Sequence, residues 1–240
     1  MTRPFQIVKD DETLDDLLYG DIRILQKRNG YRFSIDPILL ANFIDIPNGS
    51  SIIDLGTGCG VIPILLAQKI KTASIFGVEV QKDMAEMARR SVELNNLSRI
   101  IRIIHEDINN LRWLFKAESF DIVLSNPPYR KFDSGRINPH SQKAVARHEI
   151  MCSFYDILAV SRYLVRPKGK VCLIFPVVRL GDVISGLKEA TLEPKRLQIV
   201  YSNINSEGKL VLIEALKGGK TGLKIQRPLF THDLEGHPNF

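Results

Sequence analysis

The sequence predicts an α/β fold with a mostly parallel sheet and helices on both faces. Short apolar segments alternate with helix-forming segments through most of the chain, which is the order of βαβ units. The apolar segments carry hydrophobic side chains at successive positions, as expected for strands that are buried on both faces. Near the C-terminus the alternation ends, and two apolar segments are separated only by a polar loop.

The alternating strands and helices can be placed from their composition. Pro63 is compatible with a helix because it falls in the first turn, where no intrahelical hydrogen bond is lost. The next helix has Met84 and Met87 near helical spacing, and the last one stops before Pro167. The predicted strands cover residues 51–55, 73–79, 100–105, 120–124 and 170–175, and the helices cover residues 61–68, 82–95 and 154–164.

The two ends of the chain complete the predicted architecture. Residues 196–201 and 209–215 are expected to form an antiparallel hairpin at the sheet edge, which brings the sheet to seven strands. A further helix, entered through Asp36-Pro37, is expected within residues 31–44. We expect one domain over residues 1–240, with an N-terminal cap and helix at 1–45, a core at 46–216 and a basic tail at 217–240.

Composition indicates an ordinary globular protein of the cytoplasm. Hydrophobic residues make up 44% of the chain and charged residues 25%. No apolar stretch is long enough to span a bilayer, and the N-terminal residues lack the apolar core of a signal peptide. We therefore expect no membrane association. A net charge of +6 and a pI of about 9.2 are compatible with a polyanionic partner.

The pattern of cysteine and histidine residues predicts no metal site. Three cysteines lie far apart without the spacing of a zinc site or a disulfide framework. His232 and His237 lie near Asp233 and Glu235, but no supporting ligand occurs elsewhere, so this segment is interpreted as a surface tail.

A glycine-rich loop follows the first predicted strand, in the stretch Asp54-Leu-Gly-Thr-Gly-Cys-Gly60. Glycines at alternate positions allow a tight turn from strand to helix and let a ligand lie against bare main chain. Because the loop has a strand before it and a helix after it, its context is that of a ligand site.

Acidic residues mark the ends of three predicted strands. Asp54 ends the first, Glu79 ends the second, and Asp107 follows the third. Glu79 is placed to accept from a ribose diol, and Asp107 could accept from an adenine amine. A pyrophosphate would be repelled by Asp54, so the three acids favour a cationic ligand that contains adenosine.

The loop and its acids resemble motif I of the S-adenosylmethionine-dependent methyltransferases of the Rossmann-like class I fold. The resemblance covers about residues 31–215, and it implies S-adenosyl-L-methionine as the cofactor. In that family the loop and its leading acid hold the methionine part, and the next two acids bind ribose and adenine. The implied cofactor residues are Asp54, Gly56, Thr57, Gly58, Gly60, Glu79 and Asp107.

Asn126-Pro-Pro-Tyr129 follows the fourth predicted strand and resembles motif IV of methyltransferases that act on amines attached to sp² carbon. The Asn126 side-chain oxygen and the Pro127 carbonyl can each accept one amine hydrogen, which stabilises the developing charge. Pro128 belongs to the same rigid unit. Tyr129 offers a flat face for a base to stack on. Asn126 also lies on the cofactor side.

The start of the chain resembles bacterial tRNA adenine-N6 methyltransferases that modify valine tRNA next to the anticodon, most specifically in QKRNGYRFSIDPILLANF. In that family this segment caps the cofactor pocket, which implies cofactor roles for Tyr31, Phe33 and Asp36. The resemblance implies transfer to adenine N6 in tRNA. Two alternatives stay open: an N-methyltransferase acting on a protein glutamine or on guanine in rRNA, and an RNA-binding module without catalysis.

Cations follow the Asn-Pro-Pro-Tyr motif in a long polar segment and could contact RNA phosphates. These are Arg130, Lys131, Arg136, Lys143 and Arg147. A basic surface could be extended from the front of the chain by Lys27, Arg28 and Arg32, and from the back by Lys217, Lys220, Lys224 and Arg227. Convergence of these cations on the pocket would support RNA binding.

Overall fold

The computed structural model describes residues 8–17, 22–29, 32, 34–70, 73–127, 154–233 and 237. The strands are β1 Glu12–Asp16, β2 Arg23–Lys27, β3 Ser51–Leu55, β4 Ser74–Glu79, β5 Ile101–His105, β6 Phe120–Ser125, β7 Val165–Pro176, β8 Leu192–Tyr201, β9 Gly208–Lys217, β10 Lys224–Ile225 and β11 Leu229–Phe230. The helices are α1 Asp36–Phe43, α2 Val61–Lys69, α3 Lys82–Leu94, α4 Leu111–Leu114, α5 Phe154–Leu164 and α6 Leu180–Glu189.

The main sheet has the strand order β10-β8-β9-β7-β6-β3-β4-β5, with β11 also paired to β8. Strands β3 to β7 pair in parallel, and β9 is antiparallel to both of its neighbours, β7 and β8. The predicted α/β class and the C-terminal hairpin are therefore confirmed. The chain moves outward from β3 to β5 and then returns to β6, so the strand order reverses between β3 and β6. Ligands of open parallel sheets bind beside such a reversal.

The strands form because their side chains are apolar on both faces of the sheet. Ile52 and Ile122 belong to a core covered by α1, α2 and α3. Their neighbours Ile53 and Val123 belong to a second core, which α5 and α6 cover. Successive residues of one strand thus enter opposite cores, as the period of two requires.

An N-terminal hairpin, β1 and β2, was not predicted from the sequence. It pairs antiparallel and packs against α3. Arg90 of α3 donates two hydrogen bonds of 2.6 Å to the two carboxylate oxygens of Glu12, and both residues are buried. A buried bidentate pair of this kind fixes the orientation of the hairpin, since breaking it would leave an uncompensated charge.

The C-terminal region is more regular than the sequence indicates. The hairpin strands β8 and β9 are longer than predicted, β7 starts at Val165 directly after α5, and α6 was not predicted. β10 and β11 pair in parallel with β8 and so cover its outer edge. No helix in the described ranges is long and apolar enough to cross a membrane.

Lys217 corrects one prediction about the basic surface. It is the last residue of β9 and is 6% exposed. Its ammonium donates to the carbonyl oxygens of Arg162 and Val165, both at 2.9 Å, and pairs with Glu118 at 2.9 Å. The prediction that Lys217 extends a basic surface is wrong, because its ammonium group is buried and bonded to groups of the protein itself.

Candidate functional site

The glycine loop lies between β3 and α2 and adopts a conformation that favours glycine. The φ angles of Gly56, Gly58 and Gly60 are 76°, 57° and 85°, in the left-handed region where a side chain is strained. A Cβ at Gly60 would also lie 3.2 Å from Cβ of Ala88 in α3. The alternate glycines are thus required by the backbone path and, at Gly60, by close packing.

Hydrogen bonds fasten this loop to β4. The backbone N–H groups of Gly56 and Thr57 both donate to the carbonyl oxygen of Val78, each at 2.9 Å. Thr57 also packs over Gly77, where an added Cβ would lie 2.9 Å from the Thr57 side chain. These hydrogen bonds and this packing hold the loop in its conformation.

Glu79, the last residue of β4, helps to hold the loop. It is 5% exposed, and its Oε2 and Oε1 accept hydrogen bonds of 2.9 Å from the backbone N–H groups of Gly58 and Gln81. Burial raises the pKa of Glu79, and these N–H donors oppose the rise. This loop-fastening contact was not foreseen from the sequence, which indicated only a ligand contact.

Asp54 lies near the end of β3 and is completely buried. Neither carboxylate oxygen has a hydrogen-bond partner among the described residues. Burial raises the pKa of Asp54 to about 7, the neighbouring Thr57 hydroxyl opposes this rise, and the nearby charge of Glu79 adds to it. An unpaired buried acid lowers stability, so folding alone does not explain the presence of Asp54.

Asp107 follows β5 and is half-buried. Its Oδ1 accepts a hydrogen bond of 2.8 Å from the backbone N–H of Asn109 and so caps the 3-10 helix Ile108–Asn110. Glu79 pairs with His105 across β4 and β5. Asp107 therefore lies near Glu79 at the carboxyl edge of the sheet, two residues beyond the end of β5. It also caps the short 3-10 helix that follows.

Asn126 and Pro127 leave β6 beside the glycine loop. Leu55 pairs with Ser125, and the Ser125 hydroxyl donates to the Leu55 carbonyl at 2.8 Å. Pro127 is buried and Asn126 half-buried. The structure thus brings Asn126 to the reversal of strand order, on the side of β3 away from Glu79.

A single cleft joins the loop to Asn126. It is lined by Pro37, Gly56, Thr57, Gly58, Cys59, Val61, Ile62, Met84 and Asn126. Four of the predicted residues therefore meet: Asn126 and three members of the loop. Asp36 lies beside Pro37 and is buried, with its N–H donating to the Ser34 hydroxyl at 3.3 Å.

Five cleft residues were missed from the sequence: Pro37, Cys59, Val61, Ile62 and Met84. Val61 and Ile62 were noticed only as the start of a helix. Met84 was assigned to the helix core from its spacing, and Cys59 was regarded only as a small residue of the turn. Pro37 was noticed only as the entry to a helix. The one sequence signal for Pro37 was its position in the segment whose resemblance implied a cap over the pocket.

Several predicted residues fall outside the described part of the chain. They are Tyr31, Phe33, Pro128, Tyr129, Arg130, Lys131, Arg136, Lys143 and Arg147. Among the cations near the N-terminus that were predicted to extend the basic surface, Lys27 pairs with Asp11 at 2.6 Å and Arg32 pairs with Asp15. Arg28 donates to the Glu12 carbonyl at 3.3 Å. These cations are therefore engaged in local contacts at the N-terminal hairpin.

Comparisons with known proteins agree with this geometry. Residues 35–147 match the model of the methyltransferase small domain. A predicted O-methyltransferase of Agrobacterium tumefaciens has the same fold, with a TM-score of 0.68 and 21% identity over 85% of this chain and 90% of that chain. Geranyl diphosphate methyltransferase solved with S-adenosylmethionine superposes at a TM-score of 0.53 and 11% identity, over 75% and 84% of the two chains. The fold and the matched domain define a methyltransferase of the Rossmann-like class.

A tRNA1(Val) (adenine(37)-N6)-methyltransferase of Porphyromonas gingivalis is 32% identical over 213 residues, which cover 86% of this chain and 82% of that protein. The chain belongs to the family of the tRNA1(Val) (adenine(37)-N6)-methyltransferases.

Proposed function

We propose that the protein transfers the methyl group of S-adenosylmethionine to N6 of an adenine in tRNA, next to the anticodon. The name of the Porphyromonas gingivalis relative supports both the base and the RNA. A tRNA substrate also agrees with the cytoplasmic location expected from the sequence. The observation that carries the proposal is the position of Asn126, which shares one cleft with the glycine loop.

The residues of the cleft fit the cofactor. When bound, it supplies an electrophilic methyl group on a sulfonium centre. Gly56 and Gly58 leave the main chain bare, so a ligand can approach the loop closely. Asp54 and Glu79 lie close enough to repel each other, and in their ionised forms they give this region a negative potential that favours a cation.

The roles of the acids follow from their remaining acceptor capacity. Each Glu79 oxygen accepts one backbone hydrogen bond and retains a lone pair, which suits a ribose diol. Asp107 uses Oδ1 for its helix cap, so Oδ2 is assigned to the adenine amine. Asp36, Tyr31 and Phe33 are assigned to the covering side of the pocket, where Pro37 lies.

Asn126 and Pro127 are proposed to bind the target amine. The lone pair of an exocyclic adenine amine is delocalised into the ring, which makes it a weak nucleophile. Two oxygen acceptors, the Asn126 side chain and the Pro127 carbonyl, favour the pyramidal nitrogen that forms as the methyl group is transferred. The stacking role belongs to Tyr129. No strong base is required, since the proton leaves after the nitrogen becomes cationic.

Product analysis tests this proposal. The purified protein is incubated with isotopically labelled S-adenosylmethionine and bulk tRNA from cells that lack the protein, and the tRNA is digested to nucleosides. We expect label in N6-methyladenosine. Parallel reactions contain rRNA and a peptide release factor. Label in methylguanine or in glutamine, without label in N6-methyladenosine, would reject the adenine assignment in favour of one of the alternatives.

A further inference from the structure

On the basis of the function proposed above, we propose that the C-terminal edge of the sheet docks the phosphate backbone of the tRNA. The docking surface is the segment of residues 218–230, which we name the C-terminal strip. It includes β10 and β11 and runs along the outer side of β8. The strip positions the RNA at a distance from the reacting base and takes no part in the chemistry.

The strip is fixed to the sheet by its backbone. The N–H groups of Gln226 and Thr231 donate to the carbonyls of Leu197 and Tyr201 at 2.7 and 3.0 Å. The Gln198 side chain donates to the Arg227 carbonyl at 3.0 Å. These bonds hold the main chain, Leu229 packs against the core and Phe230 contacts Tyr201, while the charged side chains of the strip are exposed.

Charge on the strip has a single sign. Residues 218–230 contain Lys220, Lys224 and Arg227 and no acid. All three cations are exposed, and none forms an ion pair with a described residue. The neighbouring cation of β8 behaves differently, since Arg196 pairs with Asp45 and Glu214 at 2.7 and 3.1 Å. The strip thus presents three exposed positive charges and no acid of its own, as binding to phosphates requires.

Strand register places Arg227 level with the proposed catalytic residue. Ser125 pairs with Leu173, so Asn126 is level with Ile174, which pairs with Leu212. Leu212 pairs in turn with Gln198, whose side chain reaches the Arg227 carbonyl. Four strand spacings of about 4.8 Å separate β6 from the strip, which gives roughly 19 Å along the sheet.

That separation suits a structured RNA better than a single nucleotide. At a rise of about 3.4 Å per nucleotide in a stacked strand, 19 Å corresponds to roughly six nucleotides. A base inserted at Asn126 stays attached to a backbone that continues past the site. The strip would therefore meet phosphates several nucleotides from the target, in the stem that supports the anticodon loop.

Salt-dependent binding of bulk tRNA tests the inference. The strip variant K220Q/K224Q/R227Q is compared with R99Q/R102Q/K116Q, which removes the same charge from exposed cations at the other side of the sheet. Affinity is measured by fluorescence anisotropy over a range of salt concentrations. For the strip variant we expect the slope of log K against log salt to fall by about one per lost contact, and binding at ~0.15 M salt to weaken on the order of 100-fold. The control variant should match the wild type.

Equal losses in the two variants would overturn the inference, since the effect would then depend on net charge alone. An unchanged slope in the strip variant would overturn it as well. Thermal unfolding of both variants checks that the fold is retained, and the charge reversal Lys224→Glu gives a second reading if the triple variant misfolds. The function proposed above fails separately, if the wild type binds tRNA but forms no N6-methyladenosine.

Discussion

Two buried carboxyl groups in this molecule have opposite environments. Glu12 of the N-terminal hairpin is 1% exposed and accepts two hydrogen bonds from Arg90, and the structure lowers its pKa despite the opposing effect of burial. Asp54 beside the glycine loop is fully buried without a hydrogen-bond partner in the described chain, and burial raises its pKa to about 7. The first acid is arranged for stability, whereas the second is a buried acid whose ionisation costs stability, at the place where we propose that a cationic ligand binds.

The largest effect is expected from removing the partner of the paired acid. Arg90→Ala leaves Glu12 buried without compensation, so we expect the free energy of unfolding to fall by about 3 kcal/mol. Urea denaturation measures this change. The exposed Arg99→Ala is the control and should change stability by less than ~0.5 kcal/mol. A loss as small as the control would mean that the hairpin pair is not a stabilising contact.

Glu79 lies between the two extremes, because it is buried and hydrogen-bonded but is also proposed to contact the ribose of the cofactor. Glu79→Gln places an amide N–H₂ against one of two backbone N–H donors, which should cost about 1–3 kcal/mol. Binding of S-adenosylmethionine, followed by calorimetry, should weaken as well. The exposed Glu93→Gln serves as the control. If the Glu79 variant binds the cofactor with full affinity, the proposal that Glu79 contacts the ribose is wrong.

Asp54→Asn should separate stability from function. At pH 8 the change removes an unpaired buried charge, so unfolding free energy should stay constant or rise by about 1 kcal/mol. Cofactor binding should nevertheless weaken, since the negative potential is lost. If this variant unfolds as easily as Arg90→Ala, the contrast between the two acids is incorrect.

The two acids should also give opposite pH dependence. The folded pKa of Asp54, about 7, lies above the model value of 3.8, so the folded state binds the proton more tightly. Its contribution to stability is complete below about pH 4 and is lost as the pH rises toward 7. The pKa of Glu12 is lowered from 4.5, so its contribution is present above that value and lost at lower pH. Urea titrations of Asp54→Asn and Glu12→Gln against the wild type, from about pH 2.5 to 8, measure both trends. Parallel trends would contradict the assignment.

A smaller loss of stability is expected from a substitution in the glycine loop between β3 and α2. Gly56→Ala meets no atom within 4 Å, but its φ of +76° strains an alanine, so we expect a loss of about 1 kcal/mol. Gly181→Ala, which also has open space and an ordinary φ in α6, should be neutral or stabilising. Thermal unfolding compares the two. Equal stability would mean that the loop can relax.

The central sheet could be predicted from the sequence because its signals are local. Apolar segments such as 51–55, and glycines at positions with positive φ, can be recognised directly in the sequence. The pairing of Arg90 with Glu12 could not be predicted, since 78 positions separate the two residues. The same holds for Lys217, whose interior partners come from β7 and from the ends of other elements. The strip has no hydrophobic periodicity, since backbone bonds attach most of it and side-chain packing is added at Leu229 and Phe230.

The position of Asn126 was predictable, whereas its surroundings were only partly so. An Asn-Pro-Pro-Tyr sequence after an apolar strand indicated the carboxyl edge. Met84 and Pro37 line the cleft because of the way α3 and α1 pack over the loop. This packing involves separate segments of the chain and cannot be predicted from any one of them.

Asn126 is proposed to accept a hydrogen from the target amine, and the whole assignment of the site depends on this contact. The most direct measurement compares Asn126→Ala with Asn48→Ala, an exposed asparagine in the turn before β3. Rates of N6-methyladenosine formation and dissociation constants for S-adenosylmethionine are determined for both. We expect the Asn126 variant to lose at least about 100-fold in rate, as for loss of one preorganised transition-state hydrogen bond, with nearly unchanged cofactor affinity, while Asn48→Ala behaves as the wild type. A full transfer rate in Asn126→Ala, or a loss of activity explained by weaker cofactor binding, would contradict the claim.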